Sequence, residues 1–248
     1  MGAAIARALA ADNVSVFLIG RDVDALEEIA SIARGFGVEA TWYEADLANE
    51  SDQLELTRRL VEDFPHLDVL IQNAGIYQPG SIESATIEDL DRHYRVNVRA
   101  PYALTQALLP ALKARQGQVV FINSSNGLGA KPRSAQYDAT KHALRAIADS
   151  LRGEVNGAGV RVLSVYLGRT ATSMQARIHA ADAAVYQPEF LLQPDDVASV
   201  ILNAINLPRT AEVTDIQIRP MVDQRRKCHL EESSIPAEHA TPLRMRSI

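Results

Sequence analysis

Residues 119–141 read VVFINSSNGLGAKPRSAQYDATK and carry the signals for a strand, a loop and a helix in succession. The apolar, β-rich run at residues 119–122 is typical of a buried parallel strand. Residues 123–125 (NSS) end this run and two glycines follow, so the strand delivers hydroxyl groups to a loop at its carboxyl end. A helical pattern then begins near Ser134. The segment therefore predicts one strand–loop–helix unit of a parallel α/β sheet.

Tyr137 and Lys141 stand four residues apart on the predicted helix, so they share one face about one turn apart. A free tyrosine phenol has a pKa of about 10 and hardly exchanges protons at neutral pH. Because a nearby ammonium group favours the phenolate, Lys141 is expected to lower the pKa of Tyr137 toward the range in which acid–base catalysis is efficient. Ser124 can hydrogen-bond a substrate oxygen and hold it against the phenol. Such a pair can also arise by chance, so further residues are needed.

Two more segments complete the pattern. Residues 68–75, DVLIQNAG, read as a buried strand that ends in a turn of small residues, and Asn97 follows inside YRVNV. Together with the serine, tyrosine and lysine above, these residues closely resemble the short-chain dehydrogenase/reductase family. QNAG is similar to the family's NNAG turn, with Gln72 in place of the first asparagine, and the other matches stand at the family's spacing. The resemblance extends from Gly2 to about Pro220.

The resemblance implies a doubly wound, Rossmann-like α/β fold of three layers, with the cofactor lying across the carboxyl ends of the parallel strands. It also implies a role for each matched residue. Tyr137 is expected to be the acid or base, Lys141 the charged neighbour and ribose anchor, and Ser124 the group that orients the substrate oxygen. Asn97 is expected to bend its helix, predicted over residues 87–114, and to hold a water that connects the lysine to solvent. A capping or surface asparagine is the plainer interpretation of Asn97.

The first residues, MGAAIARALAA, predict a helix, but the segment that opens the family's fold does not stand in front of it. Family members begin with an apolar strand and a turn of the pattern T-G-x-x-x-G-x-G, whose amides hold the cofactor pyrophosphate. Here Gly2 matches only the last of these glycines. Because the first strand belongs at the centre of the sheet, its loss is expected to leave a gap between its neighbours. Either the start has been placed too late, or the chain is a truncated and inactive relative.

The residues after the first two strands of this chain suggest which cofactor binds. An acidic residue after the strand at residues 14–19 would accept hydrogen bonds from the 2′-hydroxyl of NAD, but Arg21 stands there. Guanidinium groups bind phosphate well, so NADP(H) is the preferred cofactor and NAD(H) the alternative. Arg21 can also be a surface arginine beside Asp22. By resemblance, Asp46 and Leu47 border the adenine, and Asp46 can equally cap the helix predicted from about residue 51 to 64.

The nicotinamide side of the cofactor is expected to meet two turns. Asn73, Ala74 and Gly75 are small enough to let a ribose or nicotinamide approach the backbone. Thr172 follows a Leu-Gly pair where the family has Pro-Gly, and the resemblance implies that it faces the nicotinamide carboxamide. Residues 175–193 correspond to the family's lid over the substrate, although a helical pair packed on the body is an equal interpretation.

The composition predicts one globular domain over residues 1–221 and a loose, charged tail at residues 222–248. The net charge is −6 and no basic stripe is present, so nucleic acid is not an expected partner. No apolar run approaches the roughly 20 residues that cross a bilayer, so no membrane insertion is expected. The single Cys228 and six histidines without metal-ligand spacing favour a cytoplasmic protein with no metal site.

The sequence thus predicts an NADP(H)-dependent oxidoreductase that interconverts a carbonyl and an alcohol on a small-molecule substrate. By resemblance, the helix with Asn97 and the helix that continues past Lys141 pair across subunits, which implies a homodimer or homotetramer. The alternative is a catalytically inactive relative, a cofactor sensor or a decayed copy, because the Gly-rich turn is absent. A sugar-nucleotide epimerase of the family's extended branch shares Tyr-x-x-x-Lys, but too few residues follow for its larger substrate domain.

Overall fold

The structure, a computed structural model, describes residues 1–221, and the predicted tail at residues 222–248 lies outside them. The strands are β1 Val16–Gly20, β2 Ala40–Glu44, β3 Val69–Gln72, β4 Gln118–Ser124, β5 Arg161–Leu167 and β6 Asp215–Ile218. The helices are α1 Gly2–Ala11, α2 Val23–Gly35, α3 Glu50–Asp63, α4 Ile87–Tyr94, α5 Ala100–Arg115, α6 Ala135–Val155, α7 Ser173–Ala181 and α8 Pro194–Ile205. Within this range no helix combines the length and the apolar character that crossing a bilayer requires.

The strands form two parallel sheets rather than one. β1 pairs with β2, while β3, β4, β5 and β6 form the second sheet in that order. Across residues 1–221, no ladder of hydrogen bonds joins β1 to β3. The predicted interruption of the sheet is therefore confirmed. Its effect is visible in the burial: β1 is only partly buried beyond Val16, whereas every residue of β4 between its two ends is buried.

Helices cover both faces of the four-stranded sheet, and the alternation of side chains along each strand determines which helices they contact. Val120 and Ile122 of β4 pack with α1 and α8, whereas Val119 and Phe121 point the other way and pack with α5 and α6. The first cluster also contains Ala4, Ile5, Leu163, Val165 and Ile201, and the second contains Leu104, Leu108, Leu144, Ala148 and Val162. The predicted three-layer, Rossmann-like architecture is confirmed.

Two helix starts depend on short polar side chains. α2 begins after Asp22, whose carboxylate accepts a hydrogen bond from the Ala25 amide in the first turn at 3.1 Å. The suggested capping of α3 by Asp46 is wrong. Asn49 caps that helix, because its Oδ1 accepts hydrogen bonds from two amides of the first turn at 2.8 and 3.3 Å. Asp46 instead accepts a hydrogen bond from the Ala48 amide at 2.9 Å, and Ala48 precedes the first turn of α3.

The helix predicted over residues 87–114 is distorted in its middle. α4 and α5 are joined by a π-helical turn, Arg95–Arg99, with Asn97 at its centre. A π-helical turn holds an extra residue and is often found at functional sites. Asparagine is a poor residue for a helix interior, and this one forms its side-chain bonds outside its own helix. The expected distortion at Asn97 is therefore present.

The segment predicted as a lid contains α7 and a short 3₁₀ turn, Pro188–Phe190. Thr172 begins α7, because its hydroxyl accepts a hydrogen bond from the Gln175 amide at 3.3 Å. Just past the other end of α7, Asp182 lies 3.7 Å from the Arg133 guanidinium, which belongs to the loop between β4 and α6. The lid segment is thus connected at both ends to turns near the carboxyl edge of the sheet.

Candidate active site

The residues predicted for catalysis and for the nicotinamide lie along one edge of the four-stranded sheet. Asn73, Ala74 and Gly75 follow β3, Ser124 is the last residue of β4, and Thr172 ends the turn after β5. The carboxyl ends of parallel strands share an edge, so the fold collects these residues from distant parts of the chain. In doubly wound folds this is the edge at which ligands bind.

Ser124 and Tyr137 form the polar centre of the site. Burial raises the pKa of Tyr137 to about 12, although a hydrogen bond with the Ser124 side chain lowers it in part and the Asp138 carboxylate adds to the rise. The Ser124 hydroxyl also accepts a hydrogen bond from the Asn126 amide at 3.2 Å, which fixes its position at the end of β4. The phenol therefore faces Ser124 and is protonated at neutral pH.

Lys141 is buried one helical turn beyond Tyr137, with only 5% of its surface exposed. Its Nζ donates a hydrogen bond to the Ile122 carbonyl oxygen at 3.1 Å and lies 5.7 Å from the centre of the Tyr137 ring. Burial lowers the pKa of Lys141 to about 8, because removal from water disfavours the ammonium. The site thus holds an amine that changes its charge close to neutral pH.

The predicted effect of Lys141 on Tyr137 is not found. The sequence argument expects the ammonium to lower the pKa of the phenol, whereas the pKa of Tyr137 is raised and Lys141 is not among the causes. Burial explains the difference, since loss of water disfavours both the phenolate and the ammonium. The prediction of a lowered tyrosine pKa is therefore wrong, while the predicted proximity of the two side chains is correct.

Asn97 connects the loop after β3 to α6. Its Oδ1 accepts a hydrogen bond from the Ile76 amide at 2.8 Å, and its Nδ2 donates to the Ile76 carbonyl at 3.0 Å and to the Thr140 hydroxyl at 3.1 Å. The Thr140 hydroxyl in turn donates to the Tyr137 carbonyl at 2.6 Å. Both donors of the Asn97 amide are engaged with the protein, so this side chain positions the loop. Its role in holding a water stays a prediction.

Asn123 and Gly127 fix α6 against the end of β4. Asn123 donates from Nδ2 to the Lys141 carbonyl at 3.2 Å, and its Oδ1 accepts from the Ser124 amide at 2.8 Å. A Cβ atom at Gly127 would lie 2.8 Å from the Asn123 Oδ1 and 2.9 Å from the Lys141 carbonyl oxygen. Only glycine fits such a close approach between a loop and a helix backbone.

Two glycines allow close packing at the edge of the sheet where the sequence predicts the cofactor. A Cβ atom at Gly2 would come within 2.9 Å of the Asn73 Nδ2, so the start of α1 lies directly beside the turn after β3. Free amides at a helix N-terminus favour phosphate groups. A Cβ atom at Gly75 would lie 3.4 Å from the Asn97 Oδ1 and 3.8 Å from the Lys141 Nζ. Gly2 and Gly75 therefore let the start of α1 and the turn after β3 pack closely against Asn73 and Asn97 at this edge.

A cavity of about 580 Å³ lies at the carboxyl ends of β1 and β2. Arg21 borders it, with 58% of its side chain exposed and its guanidinium 3.8 Å from the Asp46 carboxylate. Leu47 follows and packs, partly buried, against the core. The remaining lining residues are Glu44, Ser51, Asp52, Glu55, Leu56 and Arg59. The volume is that of a small-molecule site, and its arginines offer partners to a phosphate group amid several carboxylates.

Sequence reasoning did not select several residues that hold the site together. Thr140 links Asn97 to α6, and Tyr77 packs its ring against Tyr137 with centroids 4.9 Å apart. Asp138, only 2% exposed, accepts hydrogen bonds from three groups of the loop that follows β4. Each of these residues lies in or next to a motif that the sequence analysis identified. Tyr77 directly follows QNAGI, and Asp138 and Thr140 lie inside YDATK.

The chain matches known proteins over most of its length. The family described as short chain dehydrogenase matches residues 1–183. Dehydrogenase/reductase SDR family member 11 of Homo sapiens is 31% identical over 233 residues, which cover 89% of this chain and 90% of that protein. An alcohol dehydrogenase from the archaeon Thermococcus sibiricus, complexed with 5-hydroxy-NADP, is 27% identical with a TM-score of 0.80, over 90% of this chain and 93% of that one. A metagenomic short-chain oxidoreductase in complex with NADP is 27% identical with a TM-score of 0.75, over 90% and 92%.

Proposed function

The chain belongs to the short-chain dehydrogenase/reductase family, and on this premise we propose that it interconverts a carbonyl and an alcohol on a small-molecule substrate with NADP(H). Enzymes of this family are oxidoreductases that act on such groups with a nicotinamide cofactor. The observation that carries the proposal is the meeting of Ser124, Tyr137 and Lys141 beyond the carboxyl end of β4.

Tyr137 is the acid for reduction and the base for oxidation. Its phenol, with a pKa of about 12, is protonated at neutral pH and is ready to donate a proton to the carbonyl oxygen of a substrate. The Ser124 hydroxyl, which faces the phenol, orients the same oxygen. When bound, the nicotinamide supplies or accepts the hydride, and in its oxidised form it adds a positive charge that favours the phenolate.

Lys141 anchors the cofactor ribose and returns protons to the site in this proposal. Its pKa of about 8 lets the amine exist in both charge states near neutral pH, as a proton carrier must. Its Nζ also lies 3.8 Å from the position that a Cβ atom of Gly75 would take, next to the turn after β3. Gly2, Asn73, Ala74 and Thr172 complete the groups that would hold the pyrophosphate and nicotinamide.

NADP(H) rather than NAD(H) is the proposed cofactor because Arg21 stands directly after β1. Its guanidinium is largely exposed and can form two hydrogen bonds with a phosphate. Asp46, 3.8 Å away, competes for the same group, and with Leu47 it would border the adenine. Two solved relatives are complexed with NADP or a derivative of it, which supports the same choice.

We also propose that the protein forms a homodimer or homotetramer in which the helix with Asn97, here α4 and α5, and the helix α6 pair across subunits. Large apolar side chains are exposed along these helices by 40% or more: Ile87, Leu90, Tyr94 and Tyr102. Spacings of three and four residues place neighbours on one side of a helix, and contiguous exposed apolar side chains mark interaction surfaces. Light scattering of the purified protein tests this proposal, and a monomeric mass at micromolar concentration would contradict it.

The experiment for the catalytic proposal compares Tyr137→Phe with the wild type. NADPH and NADH are titrated by cofactor fluorescence, and the reduction of a panel of ketones and aldehydes is followed by loss of the cofactor signal. Tyr137→Phe is expected to keep its NADPH affinity and to lose roughly 100- to 10,000-fold in kcat, the usual contribution of a general acid. Tyr43→Phe, which removes a phenol hydroxyl that bonds Asp63 and lies outside the four-stranded sheet, is the matched control.

The possible results separate the proposals. Equal turnover by Tyr137→Phe would remove the phenol from the mechanism. Tighter binding of NADH than NADPH would overturn the role of Arg21 and leave the reaction intact. Absence of binding of either cofactor to the wild type would favour the inactive alternative, a decayed copy.

A further inference from the structure

Tyr77 packs directly against the proposed catalytic phenol. The ring centroids of Tyr77 and Tyr137 are 4.9 Å apart and the ring planes meet at 87°, an edge-to-face arrangement. The Tyr77 side chain is only partly buried, so some of its ring surface is open to a third group. A substrate whose oxygen is bonded to Tyr137 would therefore carry its nearest substituent past the Tyr77 ring.

Side chains from two helices fix the backbone on both sides of Tyr77. The residue before it, Ile76, exchanges two hydrogen bonds with the Asn97 side chain, at 2.8 and 3.0 Å. The residue after it, Gln78, donates from its amide to His93 Nε2 at 3.1 Å and accepts at its carbonyl from Gln136 Nε2 at 2.9 Å. The Tyr77 ring is therefore held by a rigid support rather than by a free loop.

His93 can support Gln78 only as one neutral tautomer of its imidazole. The ring is 1% exposed, and its Nε2 accepts a hydrogen bond, so Nδ1 must carry the proton that is donated to the Asp89 carbonyl at 2.6 Å. The imidazole also packs against Tyr137, with ring centroids 6.4 Å apart. A neutral acceptor at this position is thus needed to hold Gln78 and, through it, the Tyr77 ring.

Charged groups near the end of the lid helix, α7, influence Tyr77. Burial raises the pKa of Tyr77, and the charges of Asp138 and Asp182 add to the rise while Arg133 opposes it. Asp182 directly follows α7 and forms an ion pair with Arg133 at 3.7 Å. The charge of Asp182 thus acts on Tyr77 from the end of α7, in the segment that is expected to cover the substrate rather than the cofactor.

We propose that Tyr77 determines which substrate is accepted, by favouring a carbonyl compound whose carbonyl carbon carries a flat aromatic group, and that His93 positions it for this task. The inference rests on the proposed carbonyl–alcohol reaction. An aromatic ring stacked on or against Tyr77 gains a specific contact that a puckered aliphatic ring of the same size cannot make. Such contacts discriminate between similar substrates by about 3- to 10-fold, the range expected for a single aromatic pair.

The test compares two ketones of the same carbon skeleton, acetophenone and cyclohexyl methyl ketone, with NADPH as the reductant. The measured quantity is the ratio of their kcat/KM values, which cancels changes that affect both substrates alike. Tyr77→Leu is expected to reduce the acetophenone preference about 5-fold, whereas Tyr77→Phe keeps it within about 2-fold of the wild type. His93→Leu should follow Tyr77→Leu, and His93→Gln, which retains a neutral acceptor, should restore the ratio.

A direct binding measurement makes the test independent of turnover. Benzamide and cyclohexanecarboxamide resemble the two ketones but cannot be reduced, and calorimetry with NADPH present gives the ratio of their affinities. A loss of the benzamide preference in Tyr77→Leu, but not in Tyr77→Phe, supports the inference even if the ketones turn over slowly.

Failure of the proposed function and failure of the role of Tyr77 give different results. A wild-type protein that reduces no carbonyl compound contradicts the proposed function, and the amide affinities then still decide the inference. Equal losses for both ketones and both amides in Tyr77→Leu would make Tyr77 a structural residue only. An unchanged ratio of the two kcat/KM values in His93→Leu would show that His93 does not position Tyr77, and the role of Tyr77 itself would stand.

Discussion

Lys141 illustrates, at the scale of a single residue, how the site conflicts with the stability of the fold. The residue is only 5% exposed, and within residues 1–221 its ammonium makes one hydrogen bond, to the Ile122 carbonyl. Burying a charge with so few partners is unfavourable, which is why its pKa is lowered to about 8. A side chain that costs stability is retained where it serves chemistry.

Lys141→Met is therefore expected to stabilise the protein by roughly 3–4 kcal/mol at pH 7, because the lysine pKa falls from 10.5 to about 8 and each unit corresponds to about 1.4 kcal/mol. The unfolded chain binds the lysine proton more tightly than the folded protein does. The free energy of unfolding of the wild type should therefore rise as pH increases from about 8 toward 10.5, and that of the variant should not. Urea denaturation at several pH values measures both effects.

The control for this comparison is Lys113→Met, on the exposed side of α5. It should change stability by no more than about 0.5 kcal/mol and leave the pH dependence of the wild type intact. A Lys141→Met variant that is less stable than the wild type at pH 7 would mean that the ammonium is favourably solvated, contrary to the burial described above.

Single residues could be selected from the sequence, but their surroundings could not. The spacing of Tyr137 and Lys141 indicated an acid–base pair, and the structure brings them together. The direction of the tyrosine pKa shift depended on burial between α6 and β4, which no local pattern encodes. Gln72 is similar: its amide donates to the Pro101 carbonyl and the Thr105 hydroxyl at 3.2 and 3.1 Å, partners far along the chain.

At the scale of elements, the site depends on how closely α6 approaches the end of β4. The intervening loop is tied to the helix by Asp138, which accepts hydrogen bonds from Asn126 at 2.5 Å and Ser134 at 2.8 Å. Gly127 lies at the point of closest approach, against the Lys141 carbonyl. A shift of α6 away from β4 would separate both proposed catalytic groups from the serine.

Gly127→Ala is expected to cause such a shift. Its new Cβ would lie 2.9 Å from a helix carbonyl oxygen, which cannot move without the helix, so a stability loss of about 1–3 kcal/mol is expected. We also expect kcat/KM to fall at least about 10-fold, since small misplacements of catalytic groups are costly. Gly129→Ala is the matched control, because no atom lies within 4 Å of its Cβ position. Equal behaviour of the two variants would show that the loop adapts freely.

The existence of most elements followed from the pattern of apolar residues, whereas their details required contacts. The strand at β4 and the helix from Ser134 onward were predicted close to their final bounds. The π-helical turn was suggested only by Asn97 in a helix interior, since its partners lie in another loop. The cap of α3 was misassigned because Asp46 and Asn49 offer the same chemistry three residues apart, and only the position of the first turn distinguishes them.

At the scale of the whole molecule, the β1–β2 pair is joined to the larger sheet by side chains rather than by backbone hydrogen bonds. α1 takes part on one side: Ile5 packs in the cluster of α8 and β4, while Ala10 packs with Val16 and α2. On the other side Phe17 and Ile19 pack against the cluster of α5 and α6. The molecule thus consists of two hydrogen-bonded units with a shared hydrophobic core.

Hydrogen exchange should reveal these two units. Amides of β1 and β2 are expected to be protected about 10- to 100-fold less than those of β4 and β5, because a two-stranded unit with partly exposed strands opens at lower free energy. Mass spectrometry of peptides covering each strand measures this difference. Uniform protection across all strands would show that the core alone makes the molecule a single cooperative unit.

The fold class and the interrupted sheet could both be predicted, the first from alternating strand and helix patterns and the second from the missing Gly-rich turn. The side-chain contacts that compensate for the interrupted sheet could not be predicted, because the pattern identifies Phe17 and Ile19 only as residues of a strand. Their burial depends on α3 and α5, whose packing is set by the whole chain.

The unjoined strands have a practical consequence. β1 and β3 each have a hydrogen-bonded neighbour on one edge only among the described residues. An edge of this kind is a template onto which an extended segment of another molecule can add, and natural proteins normally protect such edges with charge, proline or a covering element. Concentrated preparations of a chain limited to residues 1–248 should therefore be prone to intermolecular strand addition, a route to domain-swapped or fibrillar material that begins at β1 and β3 rather than at the proposed catalytic edge.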